Sequence, residues 1–420
     1  MHLTDEQWCL IEPILPPPSP SDRGRPPLRY PPGVLRDAAR DRSGLRLRAS
    51  LHSALRSAPA CQKQRDDGKE SRRSAAAAEP NPPHPGYFDH SGRGRFTDSN
   101  PDAHFPLCWG MTNFEPAYLR LLHSGELQRR VDEASAHLST CDLCGWECRV
   151  DRRGDRLGPC RTGEKARLSS FGPHHGEEDP LRGWLGSGTI FFARCNLRCQ
   201  YCQNYDISQT DAGEDVSPGE LAAVMLELQE RGCHNINLVS PSHMVAQILA
   251  AVGIAAQKGL RLPLVYNTGG YDSLTALHLL EDVIDIYMPD MKYASAQIGR
   301  KYSKIRDYPQ INQAAVREMH RQVGYLQINE RGIATRGLLV RHLVLPNGLA
   351  GSEEILRFLA DEISKDTYLN LMNQYRPAYH APQFPEINRP ITALEYQCAL
   401  QIAQTAGLHR LDAHMPWRFG

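Results

Sequence analysis

The sequence predicts an α/β fold in which a mainly parallel sheet curls into a barrel or partial barrel. Three observations carry that reading. From about residue 188 onward, short β-branched runs alternate with capped helical segments about six times. Parallel strands need helical crossovers, so such alternation implies a parallel sheet. Polar and cysteine residues fall just after the predicted strands, where barrels of this kind gather their chemistry.

Taken in order, the chain opens with LTDEQWCLIEPIL, where Leu3, Trp8, Ile11 and Leu15 share one helical face behind a Thr4 N-cap and Pro16, Pro17 and Pro18 end it. Residues 20 to about 100 are dominated by Arg, Ser, Pro, Ala and Asp, as in AAAAEPNPPHPG and SGRGRFTDSNPD. That composition cannot bury enough apolar surface to offset chain entropy, so disorder is expected over 29–110. The segment LTDEQWCLIEPILPPPSPSDRGRPP resembles the N-terminus of insertion-sequence transposases of the IS5 type. It covers about thirty residues without the acidic catalytic residues of such enzymes, so residues 1–28 read as a fused fragment and transposition is not carried over.

From Met111 the texture changes. MTNFEPAYLRLLHSGELQRRVDEASAHL has helical periodicity, with Leu119, Leu122, Leu127 and Val131 on one stripe. GTIFFAR (188–194) begins the barrel as a strand. SPGELAAVMLELQERG follows as a helix, with Ser217 at the N-cap, Pro218 at N1, Glu220 at N3 and Gly232 past its end. Later strands are NINLVS (235–240), LPLVYN (262–267), VIDIYM (283–288), GLLVRHLVL (337–345) and TYLNLMNQY (367–375). Helices are expected over 243–257, 273–281, 311–327, 352–363 and 391–406. The chain thus divides into 1–28, 29–110, a helical Cys-rich module at 111–187 and a barrel at 188–420.

Composition narrows the function. With 48 Lys plus Arg against 48 Asp plus Glu, the 420-residue chain has no global basic field of the kind that coats nucleic acid. No stretch is long and apolar enough to span a membrane, and MHLTDEQWCL lacks a secretory signal's plan, so a cytoplasmic protein is expected. Its 12 cysteines fall mainly into two tight sets, which in a reducing compartment points to metal or cluster ligation. Cys9, Cys61, Cys108, Cys233 and Cys398 are scattered and read as ordinary thiols.

Cys195, Cys199 and Cys202 form a CxxxCxxC loop directly after a strand. Three thiolates so spaced can ligate three irons of a cubane iron–sulfur cluster and leave the fourth iron open. An open position suits a reacting ligand, as it does in catalytic metal sites. The competing readings are a zinc site completed by a distant ligand, or unrelated thiols. The loop CNLRCQYC after GTIFFAR resembles the signature of the radical S-adenosylmethionine (SAM) superfamily. PAYLRLLHSGELQRR, FGPHHGEEDP, NLVSPSH, YNTGGYDS, YMPDMKY and VRHLVLPN extend the likeness, over about 111–420, to its pyruvate formate-lyase activating enzyme-like members.

That resemblance implies a partial (β/α)6 barrel and a [4Fe–4S] cluster on Cys195, Cys199 and Cys202 that binds SAM. Reductive cleavage of SAM would give a 5′-deoxyadenosyl radical for hydrogen abstraction, with an electron donor such as flavodoxin or ferredoxin. The substrate would be a glycyl-radical protein, or another protein or small molecule; a non-catalytic electron-transfer or scaffold role is the rival reading. Tyr201 sits where an aromatic packs on the adenine. Ser240 and Ser242 replace the family's Gly-Gly-Glu stretch at the methionyl amine, leaving hydroxyls and carbonyls in place of a carboxylate. Asn267 falls where the methionyl carboxylate or ribose binds, and Arg341 offers that carboxylate a cation or forms a strand salt bridge. Asp290 and Lys292 are either substrate contacts or an ion pair closing a strand end.

Cys141, Cys144, Cys148 and Cys160 make a second set with four thiols and so a closed site, either a structural zinc or an accessory iron–sulfur cluster. His174 and His175, near Glu177 and Glu178, read as a loop over the barrel mouth or a partner contact, because adjacent residues rarely converge on one ion.

Overall fold

The computed structural model describes residues 114–412 apart from Asp155. The transposase-like segment and the extension expected to be disordered lie outside the described residues.

Two helices come first, α1 (Tyr118–Ser124) and α2 (Glu126–Ala136), separated by Gly125 in the left-handed region. Leu119 and Leu127 are buried as their stripe requires. A cysteine-rich loop follows. The chain then runs through β1 (Ala166–His174), α3 (Asp179–Arg182), β2 (Ser187–Phe192), α4 (Tyr205–Ser208) and β3 (Glu214–Val216). Next come α5 (Pro218–Glu230), β4 (Ile236–Val239), α6 (Val245–Gln257), β5 (Leu264–Thr268), α7 (Leu274–Leu280) and β6 (Ile286–Pro289). The last third holds α8 (Ala296–Ser303), α9 (Tyr308–Val323), β7 (Gln327–Ile328), β8 (Ala334–Leu343), α10 (Ser352–Phe358), β9 (Tyr368–Met372) and α11 (Ala393–Ala406).

Strands β2, β4, β5, β6, β8 and β9 are mutually parallel and stand in chain order. They are the six strands that the sequence predicts. The caps also fall where expected: Ser217 Oγ accepts the Glu220 N–H at 3.3 Å, and the Glu220 carboxylate accepts the Ser217 N–H at 2.7 Å.

Three strands were not foreseen. β1 runs antiparallel to β2, β3 antiparallel to β1, and β7 antiparallel to β8. Because His174 pairs with Ser187, the turn carrying His175, Glu177 and Glu178 lies at the N-terminal end of β2. The expectation that it covers the mouth is therefore corrected: the antiparallel strand carries it to the opposite end. The helix expected at 311–327 begins instead at Tyr308, with Pro309 in its first turn, and stops before Gly324 at φ +69°.

The sheet is curved. Gln203 Nε2 donates to the Gln374 carbonyl at 3.3 Å and the His380 N–H to the Gln200 carbonyl at 2.9 Å, so the loops after the first and last parallel strands meet. Alternate residues separate its two faces. Ile236, Leu238, Tyr266, Tyr287, Leu338 and Val340 pack outward into the main core beneath the helices. Val265, Ile286, Met288 and Leu339 face inward and enclose Leu181 of α3, which makes an apolar floor. Above it the inner face turns polar, at Asn267, Asp290 and Arg341.

Candidate functional site

Cys195, Cys199 and Cys202 lie on the loop that leaves β2, and neighbouring segments hold it throughout. Asn196 Nδ2 donates to the Tyr271 carbonyl at 2.9 Å, and the Arg198 and Gln200 N–H groups donate to the Ser303 and Tyr302 carbonyls at 3.2 and 2.7 Å. Leu197 packs under Gly269, where an added Cβ would come within 2.6 Å of it. Gly270 is required for its backbone: at φ +75°, an added Cβ would lie 2.3 Å from the Asp290 carbonyl oxygen.

Each sulfur has a donor or hydroxyl beside it. The Leu197 N–H donates to Cys195 Sγ at 3.3 Å, Ser303 Oγ lies 3.0 Å from Cys199 Sγ, and Ser208 Oγ lies 3.1 Å from Cys202 Sγ. Burial pushes the Cys195 thiol up to about 12, with the neighbouring thiols adding to the shift. Cys199 is also raised by burial, while Lys292 pulls it down. Buried Cys199 and half-buried Cys195 and Cys202, each with a donor or hydroxyl beside its sulfur, suit ligation, since bound metal replaces the protons. Among the described residues, no three His, Cys, Asp or Glu side chains converge on a single ion. Three thiols supported in this way on one loop are the donor set of a cubane cluster that keeps one iron open.

Beside the loop, Lys292 Nζ donates to Asp290 Oδ2 at 2.6 Å, Arg341 Nε to Asp290 Oδ1 at 2.9 Å, and an Arg341 terminal nitrogen to Asn267 Oδ1 at 2.7 Å. Burial would raise the Asp290 carboxyl, but Arg341 and Lys292 outweigh it and hold it below its ordinary value. Lys292, Asp290, Arg341 and Asn267 are thus joined to one another on the inner face of the mouth.

The other expected contacts are more dispersed. Tyr201 is 5% exposed, with its ring edge-on to Tyr293 and Tyr375 at centroid distances of 6.4 and 5.6 Å. Its hydroxyl donates to the Tyr293 hydroxyl at 2.7 Å. Ser240 lies at the end of β4 in the left-handed region, at φ +57°, and its N–H donates to the Asn267 carbonyl at 2.9 Å. Ser242 turns away: its hydroxyl meets Thr268 Oγ1 at 2.8 Å, and Thr268 donates to Asp272 at 2.7 Å.

Sequence reasoning did not pick out Tyr293 and Ser303, which come from distant segments, or Ser208, six residues after Cys202. YMPDMKY marked the neighbourhood of Tyr293, but nothing local flags Ser303. Asn237, on the inner face of β4, was also missed, and both of its side-chain polar atoms are buried without partners.

Of the four-cysteine set, Cys141, Cys144 and Cys160 are buried and Cys148 is half-buried. Burial raises Cys144 most, and its three neighbours Cys160, Cys141 and Cys148 raise it further, so the thiols lie within one another's electrostatic reach.

A family model described as the Radical SAM superfamily matches residues 189–323. The chain is also 30% identical, over 306 residues, to an uncharacterized protein of Methanocaldococcus jannaschii. That alignment spans 70% of this chain and 83% of the archaeal protein.

Proposed function

This chain belongs to the radical SAM superfamily, and from that premise we propose that Cys195, Cys199 and Cys202 hold a [4Fe–4S] cluster that binds SAM at the open iron. Such a cluster supplies, with SAM, a 5′-deoxyadenosyl radical that abstracts hydrogen from a substrate. The observation that carries the reading is the CxxxCxxC loop itself: its three sulfurs are supported by Leu197, Ser303 and Ser208 at the polar end of the inner face.

The chain's own residues then position and enclose. Asn267 and Arg341 take the methionyl carboxylate or ribose side of SAM. Tyr201 supports the adenine side. The Ser242 hydroxyl is occupied by Thr268, so the amine contact falls to the carbonyls of the 240–242 turn. Lys292 is kept protonated by Asp290 and Cys199 against the effect of burial, and it offsets negative charge beside the sulfurs. The floor around Leu181 closes the far end of the inner face and helps to exclude water. The six parallel strands and the meeting of their end loops support a partial (β/α)6 barrel over 188–420, preceded by the Cys-rich module.

Within this chemistry we assign hydrogen abstraction from a glycine of a partner protein, by likeness to the activating enzymes, with a flavodoxin or ferredoxin as reductant. Cys141, Cys144, Cys148 and Cys160 form a second, closed metal centre, iron–sulfur or zinc. The test is anaerobic reconstitution with iron and sulfide, then reduction and assay for 5′-deoxyadenosine from SAM. The wild type should produce it and the Cys195, Cys199 and Cys202 triple-alanine variant should not. A fully loaded, reducible cluster that leaves SAM intact, with glycyl-radical partners supplied, would overturn the reading in favour of an electron-transfer scaffold.

A further inference from the structure

The four-cysteine module shares strained backbone with the CxxxCxxC loop. Among the described residues, nine non-glycine residues have positive φ, and four of these flank a cysteine: Glu147 (39°) and Arg149 (56°) on either side of Cys148, Arg161 (59°) after Cys160, and Arg194 (64°) before Cys195. Strain of this kind persists where the surroundings over-determine the backbone, and it clusters at functional sites.

Charge supplies an independent indication. Arg152 is 2% exposed, and its guanidinium donates to the Thr162 and Gly163 carbonyls at 2.9–3.1 Å. Among the described residues no carboxylate pairs with it; the remaining contact is Cys141 Sγ at 3.9 Å. A buried cation is costly without a counter-charge. Four thiolates on a metal centre carry net negative charge and would supply it, whereas four neutral thiols would not.

The module is also joined to the loop at several points. Trp146, between Cys144 and Cys148, donates its indole N–H to the Asn196 carbonyl, next to Cys195, at 2.7 Å. Arg198 donates to the carbonyl of Pro159, which precedes Cys160, at 2.9 Å. Arg161, which follows Cys160, reaches the Ser208 carbonyl at 3.4 Å.

We propose that Cys141, Cys144, Cys148 and Cys160 bind a second [4Fe–4S] cluster, through which electrons from a reduced flavodoxin or ferredoxin reach the Cys195–Cys202 site. The inference rests on the reading of that site as a cluster. One electron leaves the donor protein, reduces the four-cysteine centre and passes on to the CxxxCxxC centre. No covalent bond of the protein forms or breaks in this transfer. Half-buried Cys148 gives the module an accessible edge.

Two measurements on the whole chain test this. Metal analysis after anaerobic reconstitution should give about eight irons per chain, and the reduced protein two electron paramagnetic resonance signals, one of which SAM changes. Iron at about four per chain with one zinc, or no second metal, would overturn the proposal. A Cys148→Ser variant should retain about four irons. Its reduction by the donor protein should fall at least about tenfold, while reduction by dithionite stays within about twofold. Unchanged reduction by the donor protein would overturn the relay. If the variant does not fold, the wild-type metal count and the SAM-sensitive signal decide. Neither measurement needs SAM cleavage, so a protein that loads both clusters yet makes no 5′-deoxyadenosine fails the functional reading and not this one.

Discussion

The Ser303 hydroxyl lies 3.0 Å from Cys199 Sγ, and its other contact is the Tyr293 hydroxyl at 2.7 Å. A chain of hydroxyls thus runs from Tyr201 through Tyr293 and Ser303 to a sulfur of the loop. Hydrogen bonds to cluster sulfurs stabilise the reduced, more negative state and raise its potential. Ser303→Ala should therefore leave iron content unchanged and lower the potential, on the order of tens of millivolts. Redox titration followed by electron paramagnetic resonance reads the shift; no change would remove Ser303 from the tuning of the site.

Asp290 is the centre of the polar inner face, bonded to both Arg341 and Lys292. Removing one partner from a buried pair leaves an uncompensated charge, at a cost of about 3–5 kcal/mol. These side chains are only partly buried and Arg341 also faces Glu178, so Asp290→Asn should cost less than that, about 1–3 kcal/mol in denaturant unfolding. The pH dependence has a definite sign. Because the folded Asp290 carboxyl is held below its ordinary value, the pair's stabilisation is complete above the unfolded carboxyl's pKa. It is lost as pH falls through the lower folded value. The gap between wild type and Asp290→Asn should accordingly persist at neutral pH and narrow in acid.

These residues show what one sequence discloses. The six parallel strands were legible because β-branched runs and caps are local signals, and the CxxxCxxC loop because its spacing is. β1 was not: ARLSSFGPH mixes serine, glycine and proline with few apolar residues, and nothing local states that it runs antiparallel. That direction alone moved the Glu177–Glu178 turn from the mouth to the floor. Helix α8 was missed because AQIGRKYS is short and lacks a side-chain cap. Ser303, 104 residues from Cys199, was invisible because hydrogen-bond partners brought together by topology leave no mark on spacing. Asn267 and Arg341 were each picked out separately, but their contact with one another required the curl of the sheet.

His342, on β8, is buried between two partners that set its tautomer. Its Nδ1–H donates to the Met291 carbonyl at 2.6 Å, and its Nε2 accepts from Ser352 Oγ at 2.8 Å. Burial lowers its pKa to about 4, so the folded protein holds it neutral. In the unfolded chain the imidazole titrates near its ordinary value of about 6.5. Between these values the unfolded state binds the extra proton, so the stabilisation is complete above about 6.5 and falls as pH drops towards 4. A shift of this size corresponds to about 3 kcal/mol. Buried Asp285, with its carboxyl raised to about 7 by burial, titrates in the opposite sense over part of the same range. The clean measurement is therefore a difference. His342→Asn retains an amide donor and does not titrate, so urea unfolding of both proteins should show the wild type's advantage shrinking between pH 6.5 and 4. A constant gap across that range would mean that His342 titrates alike in the folded and unfolded chains.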